Sequence, residues 1–212
     1  MKSLAPAQVR IYEAAVRLFA ENGTTHASVT ELAQAAGLAR GTIYNNITNL
    51  DSLFEEVATA LGDEMHARIL LSFESMDDPA LRLARGMRFF VRRAHEEPHW
   101  GRFIVRFAFT ASTMRGLLSG PPARDLREGL AKGRYRFRAE QTPSVLAFVG
   151  SATLAAMWLV LDGEKTWRDA GSDAAEMVLR AIGVEPEEAR ALARADLPPL
   201  PEAADAMVEN NT

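Results

Sequence analysis

An all-α fold follows from three observations on this 212-residue chain. Apolar residues recur at spacings of three and four, the period of a helix with one buried face. Alanine, leucine, arginine and glutamate dominate, and all four favour helix. Few segments carry the alternation or β-branched runs that mark strands. The expected architecture is a three-helix unit over residues 1–48 and a larger helical bundle over 49–212. A helix beginning at Asn49 joins them, for nine to ten helices in total.

The first helix is expected from Pro6 to Ala20, since proline suits the first helical turn. Val9, Tyr12, Val16 and Phe19 make its main stripe, with Ile11, Ala15 and Leu18 beside it. Asn22-Gly23 stops it, because both residues tolerate the left-handed conformation. The second helix starts at Ser28. Ser28-Val29-Thr30-Glu31 is a capping box: the serine oxygen takes a free backbone N–H and the glutamate reaches back to the cap. Leu32, Ala33 and Ala36 face inward, and Gly37 breaks the helix with a sharp turn. A third helix spans Ala39 to Asn46, with Ile43 and Ile47 packing down. Two short helices joined by a glycine turn form a helix-turn-helix, whose second helix enters the DNA major groove.

The outward residues of that helix suit this task. Arg40 can fork onto guanine O6 and N7, Thr42 and Tyr44 offer hydroxyls, and Asn45 and Asn46 suit adenine or backbone. Free N–H groups at the helix starts, near Ser28 and Gly41, can hold phosphates without a charged side chain. The expected DNA contacts are therefore Ser28, Thr30, Arg40, Gly41, Thr42, Tyr44, Asn45 and Asn46.

Charge distribution qualifies this. The net charge is -4. Residues 82–138 hold fourteen Lys/Arg against four acids, a net +10, and residues 139–212 hold five against thirteen, a net -8. Residues 1–50 reach only +1. The unit expected to bind DNA is not the basic part of the chain. Binding needs a local basic face rather than a basic total, and here even the face is thin.

The stretch Ala33 to Leu53 resembles the TetR (tetracycline-repressor-like) family. The residues that carry the resemblance are Ala33, Ala36-Gly37-Leu38, Gly41-Thr42-Ile43-Tyr44, Ile47, Asp51 and Leu53, with Gly23, Ser28 and Glu31 at an equivalent turn and cap. Ala39 departs from the family's usual capping residue. Asn46-Ile47 replaces an aromatic or His followed by Phe, and Leu50 replaces a phosphate-contacting lysine. The last departure predicts weaker or less salt-sensitive binding. The resemblance implies a cytoplasmic homodimeric regulator, a repressor that leaves a palindromic operator when a small-molecule effector binds the helical body. The two recognition helices would sit in successive major grooves, about 34 Å apart.

In the body, helices are expected over Asn49–Phe73, Asp78–Glu97, His99–Arg115, Ala123–Lys132, Gln141–Leu161, Ser172–Ile182 and Glu185–Ala195. A Pro-rich tail follows. The resemblance implies a dimer built from the last two long helices. Ala147, Gly150, Ser151, Leu154 and Ala155 form a small-residue stripe on the first of these, which packing within one subunit would explain equally. Candidate linings of an effector cavity are Met65, Phe89, Phe103, Phe107, Met157 and Trp158, each of which also suits plain core. Arg85, Arg88 and Arg92 share a face, and Arg102 and Arg106 lie four apart. One of them could meet an anionic effector; the plainer reading is a solvated face or pairing with the acidic C-terminal third.

Other function classes find little support. His95-Glu96-Glu97-Pro98-His99 matches a zinc-protease pattern, but Pro98 interrupts the helix that pattern requires. No metal, no cofactor and no catalytic set are expected. An enzyme carrying a helix-turn-helix-like module therefore lacks a nucleophile or acid–base pair. Gln141–Leu161 approaches the length of a membrane span. Its Gln, Thr, Pro, Ser and Gly content favours a buried helix of a soluble dimer over a membrane-associated protein. With no cysteine and no secretory apolar run after Lys2, a reducing compartment is expected.

Overall fold

The computed structural model describes residues 5–73, 76–109 and 120–201, and these contain ten α-helices, one 3-10 turn and no strand. α1 (Pro6–Asn22), α2 (Val29–Ala36) and α3 (Arg40–Asn46) form the N-terminal unit. α4 (Leu53–Leu71) leads into a body of α5 (Pro79–Glu96), α6 (Pro98–Phe107), α7 (Pro121–Ala131), α8 (Thr142–Leu161), α9 (Trp167–Ala181) and α10 (Pro186–Arg194).

Caps and turns set these boundaries. The Ser28 capping box is present in both directions. Glu31 N–H donates to Ser28 Oγ at 3.2 Å, and Ser28 N–H donates to Glu31 Oε2 at 2.8 Å. Gly23 and Gly37 end α1 and α2 with φ of 68° and 63°, a region that penalises any side chain. α4 begins four residues later than the apolar pattern suggests. Asn49 turns the chain first, its side-chain oxygen accepting the Asp51 N–H at 2.9 Å. α9 begins five residues earlier than expected because Thr166, not Ser172, is its cap, accepting the Asp169 N–H. α7 starts at Pro121, directly after Gly120 at φ 81°. The expected extension of α6 to Arg115 falls largely on 110–119, outside the described residues.

The buried face of α1 is rotated from the expected stripe. Ile11, Ala14, Ala15, Val16 and Phe19 are buried, while Val9 is 40% exposed and Tyr12 and Leu18 are half-buried.

α4 and α6 tie the N-terminal unit to the body. Phe54 of α4 packs edge-on against Phe19 of α1 at 5.5 Å and against Phe107 of α6 at 4.9 Å, with Phe103 filling the corner. Edge-to-face rings of this kind add about 0.5–1.5 kcal/mol each beyond their burial. α5 is the axis of the body and is touched by α6, α7, α8, α9 and α10. The C-terminal tail lies across α4 and α5. Arg88, Arg92 and Arg68 donate to the carbonyls of Ala195, Pro198 and Pro201.

Candidate nucleic-acid interface and effector cavity

Two places could carry chemistry. The first is the outer surface of α3. Ile43 and Ile47 anchor it from below and leave Arg40, Gly41, Tyr44 and Asn45 exposed. Tyr44 is 69% exposed, far more than an aromatic needs for folding. Thr42 and Asn46 are half-buried and bonded to each other, Asn46 Nδ2 donating to the Thr42 carbonyl at 2.8 Å. Asn46 therefore has its amide donor engaged within the helix. A Cβ built on Gly41 meets nothing within 4 Å, so nothing in this chain requires a glycine there. At the start of α2, Ser28 and Thr30 are exposed, with the Ser28 oxygen engaged in its cap.

The unit's sparse positive charge is largely committed inside the fold. Arg10 of α1 donates to the carbonyls of Ala36 at 2.7 Å and Gly37 at 3.2 Å. Arg17 donates to the Ala35 carbonyl at 3.2 Å. Both neutralise unpaired carbonyls at the C-terminus of α2, where a cation is favoured. Among the described residues of this unit, Arg40 is the arginine left facing outward without a bond. Leu50 packs partly buried against the core.

The second place is a cavity of about 70 Å³ inside the body. α4 contributes His66 and Ile69, and the turn after it Phe73; α5 contributes Arg82, Leu83, Gly86, Met87 and Phe90; α6 contributes Ile104. Pro121, Pro122 and Asp125 of α7 and Val149, Gly150, Thr153, Leu154 and Met157 of α8 close it. The wall is mostly apolar, and a buried ion pair sits in it. Arg82 Nε donates to Asp125 Oδ1 at 2.7 Å, its Nη1 to the Met76 carbonyl, and its Nη2 to Glu128. Asp125 is only 2% exposed, and burial pushes its carboxyl above the ordinary range against the opposing pull of Arg82.

The sequence matches known proteins along most of its length. Residues 11–57 match the family described as bacterial regulatory proteins, tetR family. Residues 78–195, more than half of the chain, match the tetracyclin repressor-like C-terminal domain. The chain belongs to the TetR family. It is a helix-turn-helix transcriptional regulator. The crystal structure of RolR in complex with resorcinol is similar at 26% identity and a TM-score of 0.66, covering 93% of this chain and 96% of that one. A putative tetR-family regulator from Shewanella sp. PV-4 shares the fold at 19% identity and a TM-score of 0.72, covering 85% and 100%. FadR from Bacillus subtilis in complex with stearoyl-CoA shares it at 18% identity and a TM-score of 0.68, covering 84% and 98%. Among curated protein sequences there is no significant match.

In this TetR-family regulator the residues expected around an effector divide between three environments. Met157 lines the cavity. Met65, Phe89, Phe103 and Phe107 are buried elsewhere in the core, the last two in the aromatic junction with α1 and α4. Trp158 is 52% exposed and faces away from the cavity. None of Arg85, Arg88, Arg92, Arg102 and Arg106 lines the cavity. Arg88 and Arg92 hold the tail, and Arg106 reaches α1. Of the acids in the C-terminal third, Asp196 lies close enough to act on Arg88, while Glu188 pairs with Arg134 and Glu185 with Arg136.

The small-residue stripe is likewise divided. Gly150 and Leu154 face the cavity, while Ala147, Ser151 and Ala155 are exposed. Ser144, Ala147, Phe148, Ser151, Ala155 and Trp158 recur at three and four and form one exposed face of α8, opposite the cavity-lining face. α8 with its preceding 3-10 turn is long and apolar enough to cross a membrane by length and composition. The histidines of the zinc-like pattern lie on different helices, His95 ending α5 and His99 opening α6, with the break at Glu97.

The ion pair in the cavity wall, Arg82 and Asp125, escaped the sequence reading, as did His66 and Thr153. A signal existed: Asp125 lies four residues from both Pro121 and Gly129, on the buried face of its own helix.

Proposed function

We propose that this regulator is a homodimeric repressor, cytoplasmic, whose α3 helices read a palindromic operator and whose internal cavity takes a small effector that releases DNA. The observation that carries this reading is the pairing of a bare, outward-facing α3 with a mostly apolar cavity that α4 and α6 connect to it. The division between a DNA-binding unit over residues 1–48 and an effector and dimer body over 49–212 fits that pairing, with α4 as the joint.

On this reading Arg40 is the principal base-reading residue. Tyr44, Thr42 and Asn45 add contacts, Asn46 positions Thr42, and Ser28 and Thr30 bring the start of α2 against phosphate. Gly41 keeps the start of α3 low enough for the DNA backbone to approach the helix N–H groups. The exposed α8 face, with Phe148, Trp158 and Met177 of α9 all at least 45% exposed, is the dimer surface. Ala147, Ser151 and Ala155 let the partner's α8 approach closely. This accounts for an apolar helix that would otherwise suggest a membrane. The inner face of the same helix lines the cavity, so effector and dimer geometry are coupled.

The effector must bind the released state more tightly than the DNA-bound one, or nothing shifts. α4 touches the cavity through His66 and Ile69 and α6 through Ile104, and each touches the N-terminal unit elsewhere. A ligand that displaces either helix changes the separation of the two recognition helices.

Sedimentation of the wild type and of Trp158→Glu tests the dimer, and duplex binding by both tests its consequence. The reading predicts a dimer that the substitution splits, with operator affinity falling sharply. A monomeric wild type that binds duplex as well as the variant does overturns it.

A further inference from the structure

The cavity's few polar atoms select a chemical class of effector. We propose that it recognises a compact, neutral, mostly apolar molecule carrying a hydroxyl donor, of which phenol is the simplest, and that Asp125 accepts that hydroxyl. This rests on the cavity being the effector site.

Consider what each polar group in the wall has left to offer: His66, on the α4 side, is already engaged in an interaction of its own. Arg82 is enclosed by Asp125, Glu128 and the Met76 carbonyl, so its charge is already balanced. Thr153 donates its hydroxyl proton to the Val149 carbonyl at 2.8 Å and retains only acceptor lone pairs. Asp125 accepts Arg82 through Oδ1, and its second oxygen accepts no hydrogen bond from the described residues. The residue is 98% buried from the outer surface, and that oxygen lies in the wall of the cavity, where a ligand can reach it. The site therefore offers acceptors and asks for a donor.

The same accounting excludes other classes. A carboxylate or phosphate would bring a second negative charge against Asp125 in a dry site, with Arg82 already committed to two carboxylates. An ammonium group would enter a cluster in which Arg82 and Lys132 already balance Asp125 and Glu128, and would lose its hydration. A plain hydrocarbon would fill the space but leave the Asp125 oxygen unsatisfied. The volume of about 70 Å³ further favours a molecule far smaller than a long-chain acyl thioester.

The test is calorimetric titration of the full-length protein with phenol, toluene, benzoate and benzylamine, four probes of similar size, and with stearoyl-CoA. Wild type is expected to bind phenol about tenfold or more tighter than toluene, and neither ion measurably. Asp125→Asn keeps a carbonyl for Arg82 and turns an amide donor toward the cavity. It should weaken phenol and improve benzoate, a reversal that mere loss of packing would not produce. Gly150→Leu fills the cavity and should abolish phenol binding.

Toluene equal to phenol, or preference for benzoate, benzylamine or stearoyl-CoA, overturns the hydroxyl inference. If Gly150→Leu blocks that binding, the cavity still stands as the effector site. Phenol binding that Gly150→Leu leaves intact removes the cavity itself from the reading. Failure of every probe to bind overturns the inference as well.

Discussion

Arg106, near the end of α6, donates from Nη1 to the carbonyl oxygen of Ala20 in α1 at 2.7 Å. Ala20 lies in the last turn of its helix, where carbonyls lack partners of their own and a cation is favoured. A side chain on Gly23 would strike the guanidinium: a Cβ there lies 2.9 Å from Arg106 Cζ. Two residues before Arg106, Ile104 lines the cavity. A single turn of α6 thus touches both the effector site and the DNA-binding unit. Arg106→Met removes the bond but keeps the aliphatic stem. It should lower stability by about 1–2 kcal/mol. Hydrogen exchange at the C-terminal turn of α1 should accelerate while α5 is unchanged. Unaltered exchange in α1 would show that the bond carries no coupling.

Gly41 separates folding from function. Glycine in a helix costs up to about 1 kcal/mol relative to alanine. A Cβ at this position meets nothing within the chain. Gly41→Ala should therefore raise the melting temperature slightly while weakening duplex binding at least severalfold. Denaturation and fluorescence anisotropy on one preparation check both. Unchanged affinity would remove Gly41 from the interface.

Salt dependence should be shallow. Each phosphate neutralised by a basic side chain contributes about -0.9 to the slope of log K against log salt. Arg10 and Arg17 are held by carbonyls of α2, and Leu50 brings no charge. A dimer with about one free basic contact per protomer from the described unit should show a slope of about -2, by this rule. A slope near -10 would require basic contacts from outside it. Arg10→Ala should lower the stability of the helix-turn-helix rather than change which sequence is preferred.

Acid should loosen α5. Asp78 caps that helix by accepting the Ala80 N–H at 3.1 Å, and it also accepts Arg134 Nε at 3.0 Å and Nη2 at 2.8 Å. Burial alone would raise this carboxyl, but Arg134 and the Ala80 N–H outweigh it and hold it below 3.8, its ordinary value. A carboxyl depressed by folding stabilises the fold fully above its unfolded pKa, and loses that contribution as pH falls through the folded one. Wild type should hence lose stability below about pH 4 more steeply than Asp78→Asn. At pH 7 the variant should be about 1–2 kcal/mol less stable. Chemical denaturation at pH 3, 5 and 7 checks the sign.

The helix-turn-helix was legible because its signals are local. A capping box, a glycine at positive φ and an anchoring isoleucine act within a few residues of themselves. So were most helix boundaries, except where a side chain competed with periodicity, as Asn49 and Thr166 do. The cavity was not legible. Residue size pointed to Phe89, Phe103 and Phe107, but large aromatic side chains fill space as readily as they line it, and here they close the core and the joint with α1. What lines the cavity is set by how five helices meet, which no single segment encodes. The arginines show the same limit. Charge density in 82–138 is plain in the sequence, yet most of it binds carbonyls and carboxylates within the fold, and the arginine that faces outward from the N-terminal unit lies in its least charged stretch.

That arginine gives the most direct test of the regulator as a DNA reader. A duplex selected from a randomised pool by the wild-type protein should be bound saturably by two protomers in an anisotropy titration. An arginine–guanine contact is worth about 1–3 kcal/mol, so Arg40→Ala, unbonded in the fold and neutral for stability, should weaken that binding about tenfold or more. It should also lose the selected preference at the base pair Arg40 reads. Equal affinity and equal preference in wild type and Arg40→Ala would contradict the assignment of α3 as the reading helix.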